Sequence, residues 1–449
     1  MGKYTSLKTK LGNLPLSRKI LIIAVCILFV RLGSVIPLPF VNRDYMQVIL
    51  GGSDGGLGFF NAVTGGALYQ MSFFALSISP YITASIIIQL LSITVPKLEK
   101  LRKEGKSGED TYKKITNITG IVLAFFQASG MAIGLGAGGL LTPYNPLTVI
   151  GAIAIWTTGA AVLILMGEMI TKMNIGNGIS ILLVTNILAT IPGDVRTVTD
   201  VLIQNHIPAV MILRTVIVAA TCFAVICGGI VLTQTYKKIR VTQSRKMSGQ
   251  ADTVFPIPLN VCSVMPVIFA SSIMSMPILI SRFVPAMTEG IVGKVISALN
   301  TSAWFNVQNP LLSLGAVLYV GLSIFFAYFY LGIGFNAAEI ADNFKKSGTV
   351  IPGIRPGVPT EEYIEKVSTK IAMAGNAFMV ALIIGMHAIC NVSGLGTLSI
   401  AGTSILICIS VIMEEKKTIS ALAKLKSYKK AGFLYAASKT NAKTLKACA

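Results

Sequence analysis

The feature that most constrains this chain is a series of apolar segments, each about 20 residues long, separated by short polar loops. An α-helix needs roughly 20 apolar residues to cross the hydrocarbon core of a bilayer. The 449 residues are 53% hydrophobic and only 12% charged, whereas soluble domains carry about 25% charged residues. The sequence therefore predicts one all-α membrane domain, because helices satisfy their own backbone hydrogen bonds in lipid.

The apolar segments predict ten transmembrane helices, which places both chain ends on the same side of the membrane. The predicted spans cover residues 20–39, 74–95, 115–136, 148–172, 176–192, 209–235, 262–280, 311–334, 368–387 and 395–413. Residues 1–18 are polar and basic, and the first apolar segment continues past Arg31. We therefore expect it to be a spanning helix rather than a cleavable signal peptide.

The net charge of +20 is distributed over alternate loops rather than evenly. Lysine and arginine cluster before the first span and after the second, sixth, eighth and tenth. Because cationic loops are retained in the cytoplasm, both termini are expected there. The same loops could also attract anionic lipid or RNA.

The stretch around Leu57 to Pro80 departs from the pattern of an uninterrupted span. Pro80 lies inside the predicted second helix, and glycines interrupt the apolar residues before it at Gly56, Gly58, Gly65 and Gly66. This predicts a short half-helix before a full helix, surrounded by protein or a water-filled cavity. A loose external loop with a small interfacial helix is the alternative.

Ionisable groups are scarce inside the predicted spans. Glu168 is the one acidic residue within a span, and Lys172 at i+4 predicts a local ion pair. Arg31 is expected to snorkel to the outer interface. The seven cysteines show no CxxC or Cys/His metal spacing. Without midplane acids, a coupled transporter or an intramembrane hydrolase is disfavoured.

Five runs of sequence carry a family resemblance. They are RLGSVIPLP (31–39), GGALYQMSFFALSISPYITASIIIQLL (65–91), GNGISIL (176–182), MPVIFASSIM (265–274) and FNAAEIADNFKKSGTVIPGIRPGVPTEEYI (335–364). In this order and topology the chain resembles bacterial SecY, the channel-forming subunit of the general protein translocase, nearly end to end.

The resemblance implies an hourglass channel made of two inverted, pseudo-symmetric halves of five helices each. The first half would span residues 20–192, with a plug at about 57–70, and the second residues 193–413, with long cytoplasmic loops at 236–261 and 335–367. Residues 1–19 and 414–449 would be cytoplasmic segments.

It also implies roles for individual positions. The plug would include Phe59, Phe60, Asn61, Gly65, Gly66 and Leu68. The constriction would be a ring of Ile78, Ile82, Ile179, Leu183, Ile268 and Ile407, in which Leu183 departs from the commoner isoleucine. The lateral gate would lie around Thr83, Ser85, Gln89, Ser272 and Met276. Docking of the ribosome or of the ATPase SecA would use Lys237, Lys238, Arg240, Arg245, Lys246 and Arg355.

By this resemblance the chain is a channel and not an enzyme, needs no cofactor, and lies in the bacterial cytoplasmic membrane. It has no GxxxxGK[ST] phosphate loop. It would pass unfolded polypeptides with signal peptides and release membrane segments into the lipid bilayer, driven by SecA or the ribosome, with SecE and SecG as small partner subunits. An accessory paralogous translocase with restricted substrates is an alternative. A small-solute secondary transporter is another, since such proteins also use inverted repeats and a broken helix.

Overall fold

The structure is a computed structural model, and it describes ten stretches of the chain. These are residues 15–42, 44–46, 61–104, 106–204, 208–243, 253–283, 290–300, 304, 313–392 and 403–421. The described residues are mainly helical, with one small sheet. The mostly helical architecture predicted from the apolar segments is confirmed.

The first part of the chain contains six helices. They are α1 (Leu16–Val35), α2 (Ser79–Thr94), α3 (Pro96–Lys103), α4 (Lys106–Gly134), α5 (Pro146–Lys172) and α6 (Gly178–Gln204). A single π-helical turn, Gly136–Leu140, follows α4.

The second part contains seven helices and three short strands. The helices are α7 (Pro208–Gln234), α8 (Met265–Phe283), α9 (Gly290–Leu299), α10 (Leu314–Gly334), α11 (Ala337–Ser347), α12 (Val358–Val392) and α13 (403–421). The strands are β1 (Tyr236–Gln243), β2 (Thr253–Pro258) and β3 (Thr349–Val350).

A helix overlaps each of the ten predicted spans. Among the described residues, five helices are long and apolar enough to cross a membrane by length and composition alone. A sixth is added if α2 and α3, which are bent by 107° at their junction, count as one span. Helix α12 begins at Val358 rather than at residue 368, because hydropathy detects the apolar part of a helix and not its polar first turns.

The helices pack in an order that occurs twice along the chain. In the first part α2 packs on α4, α4 on α5, and α1 on α5. In the second part α8 packs on α10, α10 on α12, and α7 on α12. The apolar helices of each part, taken in chain order, therefore share the same three contacts: second with third, third with fourth, and first with fourth.

Residues 65–78 form a buried, non-helical segment between α1 and α2. None of them is exposed, and the backbone runs through consecutive turns after a short helical stretch at 61–64. It is tied to the chain after α1 by hydrogen bonds from Leu38 N to Met71 O (3.3 Å) and from Phe73 N to Ile36 O (3.3 Å). Irregular backbone at membrane depth is stable here because protein surrounds it and satisfies its polar groups.

The prediction of a second helix that starts at residue 74 and is interrupted by Pro80 is wrong. Helix α2 begins at Ser79, and Pro80 lies in its first turn. Proline is favourable there because the first helical N–H groups have no partner within the helix.

The two long loops fold together into one small unit. Strand β1 pairs antiparallel with β2 of its own loop and with β3 of the later loop, giving the order β2-β1-β3. Beneath the sheet lies an apolar cluster that includes Ile239, Val241 and Ile364. Sequence reasoning anticipated two loops but not this shared fold.

Helix α5 passes so close to the buried segment that residue 159 has no room for a side chain. A Cβ at Gly159 would lie 2.3 Å from the carbonyl oxygen of Phe73, whereas one at Gly151 would meet nothing within 4 Å. We expect Gly159→Ala to destabilise the protein by about 1–3 kcal/mol, because backbone would have to shift. Gly151→Ala on the same helix is the control, and melting of the purified protein in detergent is the measurement. Equal melting temperatures for both variants would contradict this close packing.

Candidate functional site

A cavity of about 710 Å³ lies among helices α2, α4, α6, α8, α10 and α13. Its charged lining side chains are Arg102, Glu109, Lys113 and Glu414. Part of it is lined by aliphatic and aromatic side chains of α2, α6 and α8. The cavity therefore combines a charged rim with an apolar wall.

The six residues of the expected constriction lie in and beside this apolar wall. Four of them line the cavity: Ile82, Ile179, Leu183 and Ile268. Leu183, Ile268 and Ile407 belong to one buried apolar cluster, and Ile78 belongs to a second cluster against which Ile179 packs. Ile82 packs against both clusters. The structure thus brings residues of α2, α6 and α8 together around one cavity, and Ile407 of α13 lies in the same cluster as Leu183 and Ile268.

The described part of the expected plug contacts more than one apolar cluster. Asn61 begins the short helical stretch, and its neighbour Val63 is buried with Leu183 and Ile268. Gly65 and Gly66 follow with positive φ angles of 69° and 82°, and Leu68 packs in a different cluster with α4 and α5. Phe59 and Phe60 lie outside the described residues. In the described part the expected half-helix is four residues of helix followed by turns.

The expectation that Arg31 snorkels outward is wrong. Its Nη1 donates to the carbonyl oxygen of Gly65 at 3.3 Å, and its Nη2 donates to Oδ1 of Asn186 on α6. The amide nitrogen of Asn186 donates in turn to Val63 O at 3.1 Å and to Ser77 Oγ at 2.8 Å. Sequence reasoning missed Asn186, although a lone amide in an apolar helix is a signal of internal hydrogen bonding.

The expected lateral gate residues divide into two groups. Ser85 and Gln89 line the cavity, where Gln89 Nε2 donates to Ser85 Oγ at 3.0 Å. Thr83 and Ser272 are buried and Met276 is half-buried, and these three lie away from the cavity lining. The positions are thus shared between α2 and α8, two of the helices that flank the cavity.

The expected docking residues lie on the small sheet and its adjoining turn. Lys238 and Arg240 on β1 are exposed and alternate with buried Ile239 and Val241, so that one face of the strand is basic. Lys237 is also exposed. Arg355 is exposed in a turn between two glycines of positive φ, Gly353 (84°) and Gly357 (105°). Arg245 and Lys246 lie outside the described residues.

The ion pair predicted inside a span is confirmed. Lys172 Nζ lies 2.8 Å from Glu168 Oε1, and Asn117 donates to the other carboxylate oxygen of Glu168 at 3.1 Å. Within the described part of the chain, no group of three or more His, Cys, Asp or Glu side chains could hold a metal ion.

The second half of α13 contacts both parts of the chain at the rim of the cavity. Glu415 Oε1 accepts a hydrogen bond from Asn177 N at 3.0 Å, just before α6, and Glu414 Oε2 accepts one from Ser263 Oγ at 3.3 Å, just before α8. Lys417 Nζ donates to Thr233 O at 2.9 Å, near the end of α7. Burial raises the pKa of the Glu415 carboxyl, and the hydrogen bond from Asn177 opposes that shift.

Comparison with known proteins identifies the family. A family model described as SecY matches residues 72–415, well over half of the chain. The chain is 33% identical over 447 residues to the protein translocase subunit SecY of Mycobacterium bovis, covering 95% of this chain and 98% of the relative. The chain belongs to the SecY family. It is therefore a multi-pass membrane protein of a protein translocase, and the small-solute transporter is excluded.

Solved structures with the SecY fold resemble this chain over most of its length. One described as a protein conducting channel aligns with a TM-score of 0.66 and 17% identity, covering 89% of this chain and 90% of its own. Another, in which the plug domain of SecY is said to stabilise the closed channel, gives 0.64 and 18%, covering 90% and 91%. Sec61 in a canine ribosome–channel complex gives 0.62 and 16%, covering 89% and 90%. At these identities the likeness shows the shared fold.

In this SecY-family chain, substitution of Glu415 tests the contact at the cavity rim. The folded protein binds the Glu415 proton more tightly than the unfolded chain does. The free energy of unfolding therefore falls as the pH rises above the ordinary glutamate pKa of about 4.3, because the carboxylate is then ionised in a partly buried position. Glu415→Gln keeps an acceptor for Asn177 N–H without the charge. We expect it to melt at or above the parent temperature at neutral pH, with the difference shrinking towards acid pH.

Glu415→Ala removes the acceptor and should destabilise the protein by about 0.5–1.5 kcal/mol. Lys416→Ala, at an exposed neighbouring position, is the control. A Gln variant that melts below the Ala variant across the pH range would contradict the role given to this hydrogen bond.

Proposed function

We propose that this chain forms the protein-conducting channel of a bacterial translocase. Unfolded secretory polypeptides would cross the cytoplasmic membrane through it, and apolar segments would leave it sideways into lipid. The observation that carries the proposal is the cavity whose apolar wall includes Ile82, Ile179, Leu183 and Ile268. Aliphatic side chains seal a pore by excluding water and make no specific hydrogen bonds, so they suit cargo of varied sequence.

The proposed architecture is two inverted halves of five spanning helices. The repeated packing order supports it, since α1, α2, α4 and α5 make the same contacts as α7, α8, α10 and α12. An odd number of spans in each half makes the second half enter from the opposite side of the membrane. Both termini would then be cytoplasmic, on the side of the basic loops.

The proposed route into lipid runs between α2 and α8. Ser85 and Gln89 on α2 and Ile268 on α8 line the same cavity. Polar side chains that hydrogen-bond to one another, as Gln89 does to Ser85, can be separated from a facing apolar helix at small cost. Movement of α8 away from α2 would open the cavity sideways.

The proposed plug is the segment that begins at Asn61. Its residue Val63 is buried with Leu183 and Ile268, so it lies against the candidate constriction. A related solved structure is described in terms of a plug domain that maintains a membrane seal. In this chain the corresponding stretch would close the pore from the non-cytoplasmic side.

The proposed driving partners are SecA and the ribosome, which would dock on the basic face of β1 and on Arg355. The exposed charges of Lys238, Arg240 and Arg355 support this, since they lie on one folded unit. Cationic clusters attract acidic protein surfaces and the phosphates of RNA. SecE and SecG would complete the complex in the membrane.

Reconstitution tests the proposed function. Proteoliposomes that contain this chain with its small subunits, SecA and ATP should move an unfolded precursor into the lumen, where it becomes resistant to added protease. Vesicles without this chain are the control. Saturable counterflow of a small solute, with no protected precursor, would contradict the proposal.

Reversal of charge at Arg355 tests the docking surface. Arg355→Glu should lower SecA-driven export by about tenfold or more, because like charges at an electrostatic interface repel. Insertion of the chain into the membrane should be unchanged. Lys294→Glu is the control, because Lys294 is an exposed lysine on α9, in a predicted external loop. Normal export by Arg355→Glu would remove Arg355 from the docking surface.

A further inference from the structure

A buried polar node joins the proposed plug to the helices beside it. We use the name Arg31 node for the side chains of Arg31, Asn186 and Ser77 together with the carbonyl groups of Val63 and Gly65. These groups lie on α1, α6, the buried segment and the proposed plug. The described mechanism of a pore sealed by aliphatic side chains makes no use of them.

The hydrogen bonds of Arg31, and not its position along α1, show that its side chain turns into the protein. Arg31 is the sixteenth residue of α1, about 22 Å from the start of the helix at 1.5 Å per residue. A charge at membrane depth is retained where it has partners inside the protein. The partners that the structure gives its guanidinium are the carbonyl oxygen of Gly65 and the amide oxygen of Asn186.

Both the oxygen and the nitrogen of the Asn186 side-chain amide form hydrogen bonds within the Arg31 node. The residue is 1% exposed. Its amide oxygen accepts from Arg31, and its amide nitrogen donates to Val63 O and to Ser77 Oγ. One side chain thus links the plug to the residue that precedes Ile78 of the candidate constriction.

Gly65 allows the plug to approach this closely. A Cβ at Gly65 would lie 2.5 Å from Nη2 of Arg31 and 3.0 Å from the backbone of Asn186. A Cβ at Gly66 would meet nothing within 4 Å, although both residues have positive φ. Residue 65 therefore needs to be glycine for two reasons. Its positive φ favours glycine, and a side chain would collide with Arg31 and Asn186.

We propose that Arg31 and Asn186 form a latch that holds the plug in the closed channel and releases it when the channel opens. This rests on the proposed function, in which residues from Asn61 onward act as the plug. The latch donates hydrogen bonds to two backbone carbonyls of the plug: Asn186 donates to Val63 O, and Arg31 donates to Gly65 O. When the plug leaves, Arg31 and Asn186 still hydrogen-bond to each other, so the node stays partly satisfied in both states.

The acceptors of the node favour release over permanent closure. Gly65 O and Asn186 Oδ1 are neutral, and a guanidinium is held less tightly by neutral oxygens than by a carboxylate. Ser77 couples the latch to the pore, because it is adjacent to Ile78. A polypeptide that displaces Ile78 pulls Ser77 away from Asn186 and loosens the hold on Val63.

Solvent access to the plug tests the latch without any cargo. A single cysteine is placed at Tyr69, a half-buried position, in a background from which the seven native cysteines have been removed. Its reaction with a membrane-impermeant maleimide is followed in sealed proteoliposomes. Arg31→Gln should raise the labelling rate several-fold, and Arg18→Gln, at an exposed position on the same helix, should leave it unchanged.

Two further comparisons keep the test decisive where a single variant folds poorly. The double variant Arg31→Met with Asn186→Leu replaces both partners by apolar side chains, which leaves no charge unpaired. Gly65→Ala is compared with Gly66→Ala, since both add a methyl group at positive φ but only the first meets the latch. The double variant and Gly65→Ala should both label several-fold faster than Gly66→Ala.

The outcomes separate the latch from the channel function. Labelling of the double variant and of Gly65→Ala at the parent rate would overturn the latch, whether or not precursor export is normal. Faster labelling, with precursor export retained in the parent, supports it. Failure of the parent to export any precursor would instead contradict the proposed function.

Discussion

The structure depends on one constraint: backbone polar groups at membrane depth must find their partners within the protein. Most of the chain meets it with helices. Residues 65–78 cannot, because they run through turns. They are accommodated because α5 passes within contact of Phe73 at Gly159, and because the chain after α1 and the side chain of Arg31 supply hydrogen-bond partners for their backbone. The site follows from this arrangement, since the buried segment ends at Ile78 in the candidate constriction.

Much of the fold could be predicted from the sequence because the signals are local. A helix overlaps each apolar segment of sufficient length, and the Glu168–Lys172 pair forms as the i, i+4 spacing indicates. The constriction positions came from family resemblance and not from periodicity. The sequence alone does not distinguish a pore-lining isoleucine from any other isoleucine in a membrane helix. The structure distinguishes Ile82, because its side chain packs against two apolar clusters.

What the sequence could not reveal are contacts between distant parts of the chain. Arg31 and Asn186 are 155 positions apart, and Thr242 and Val350, which join β1 to β3, are 108 apart. No local pattern relates such residues. A basic residue near the end of an apolar helix most often snorkels, so the default expectation for Arg31 was wrong for a specific reason. Its helix places it beside a carbonyl and an amide that only tertiary structure brings there.

The small sheet also has a mechanical consequence. Strand β1 continues directly from α7, β2 leads into α8, and β3 lies between α11 and α12. Because backbone hydrogen bonds join the three strands, a load applied to the sheet would reach α7, α8 and α12 along the chain. The first part of the chain receives it through lateral contacts such as Glu415 with Asn177. A partner bound to the sheet would therefore act first on helices of the second part of the chain.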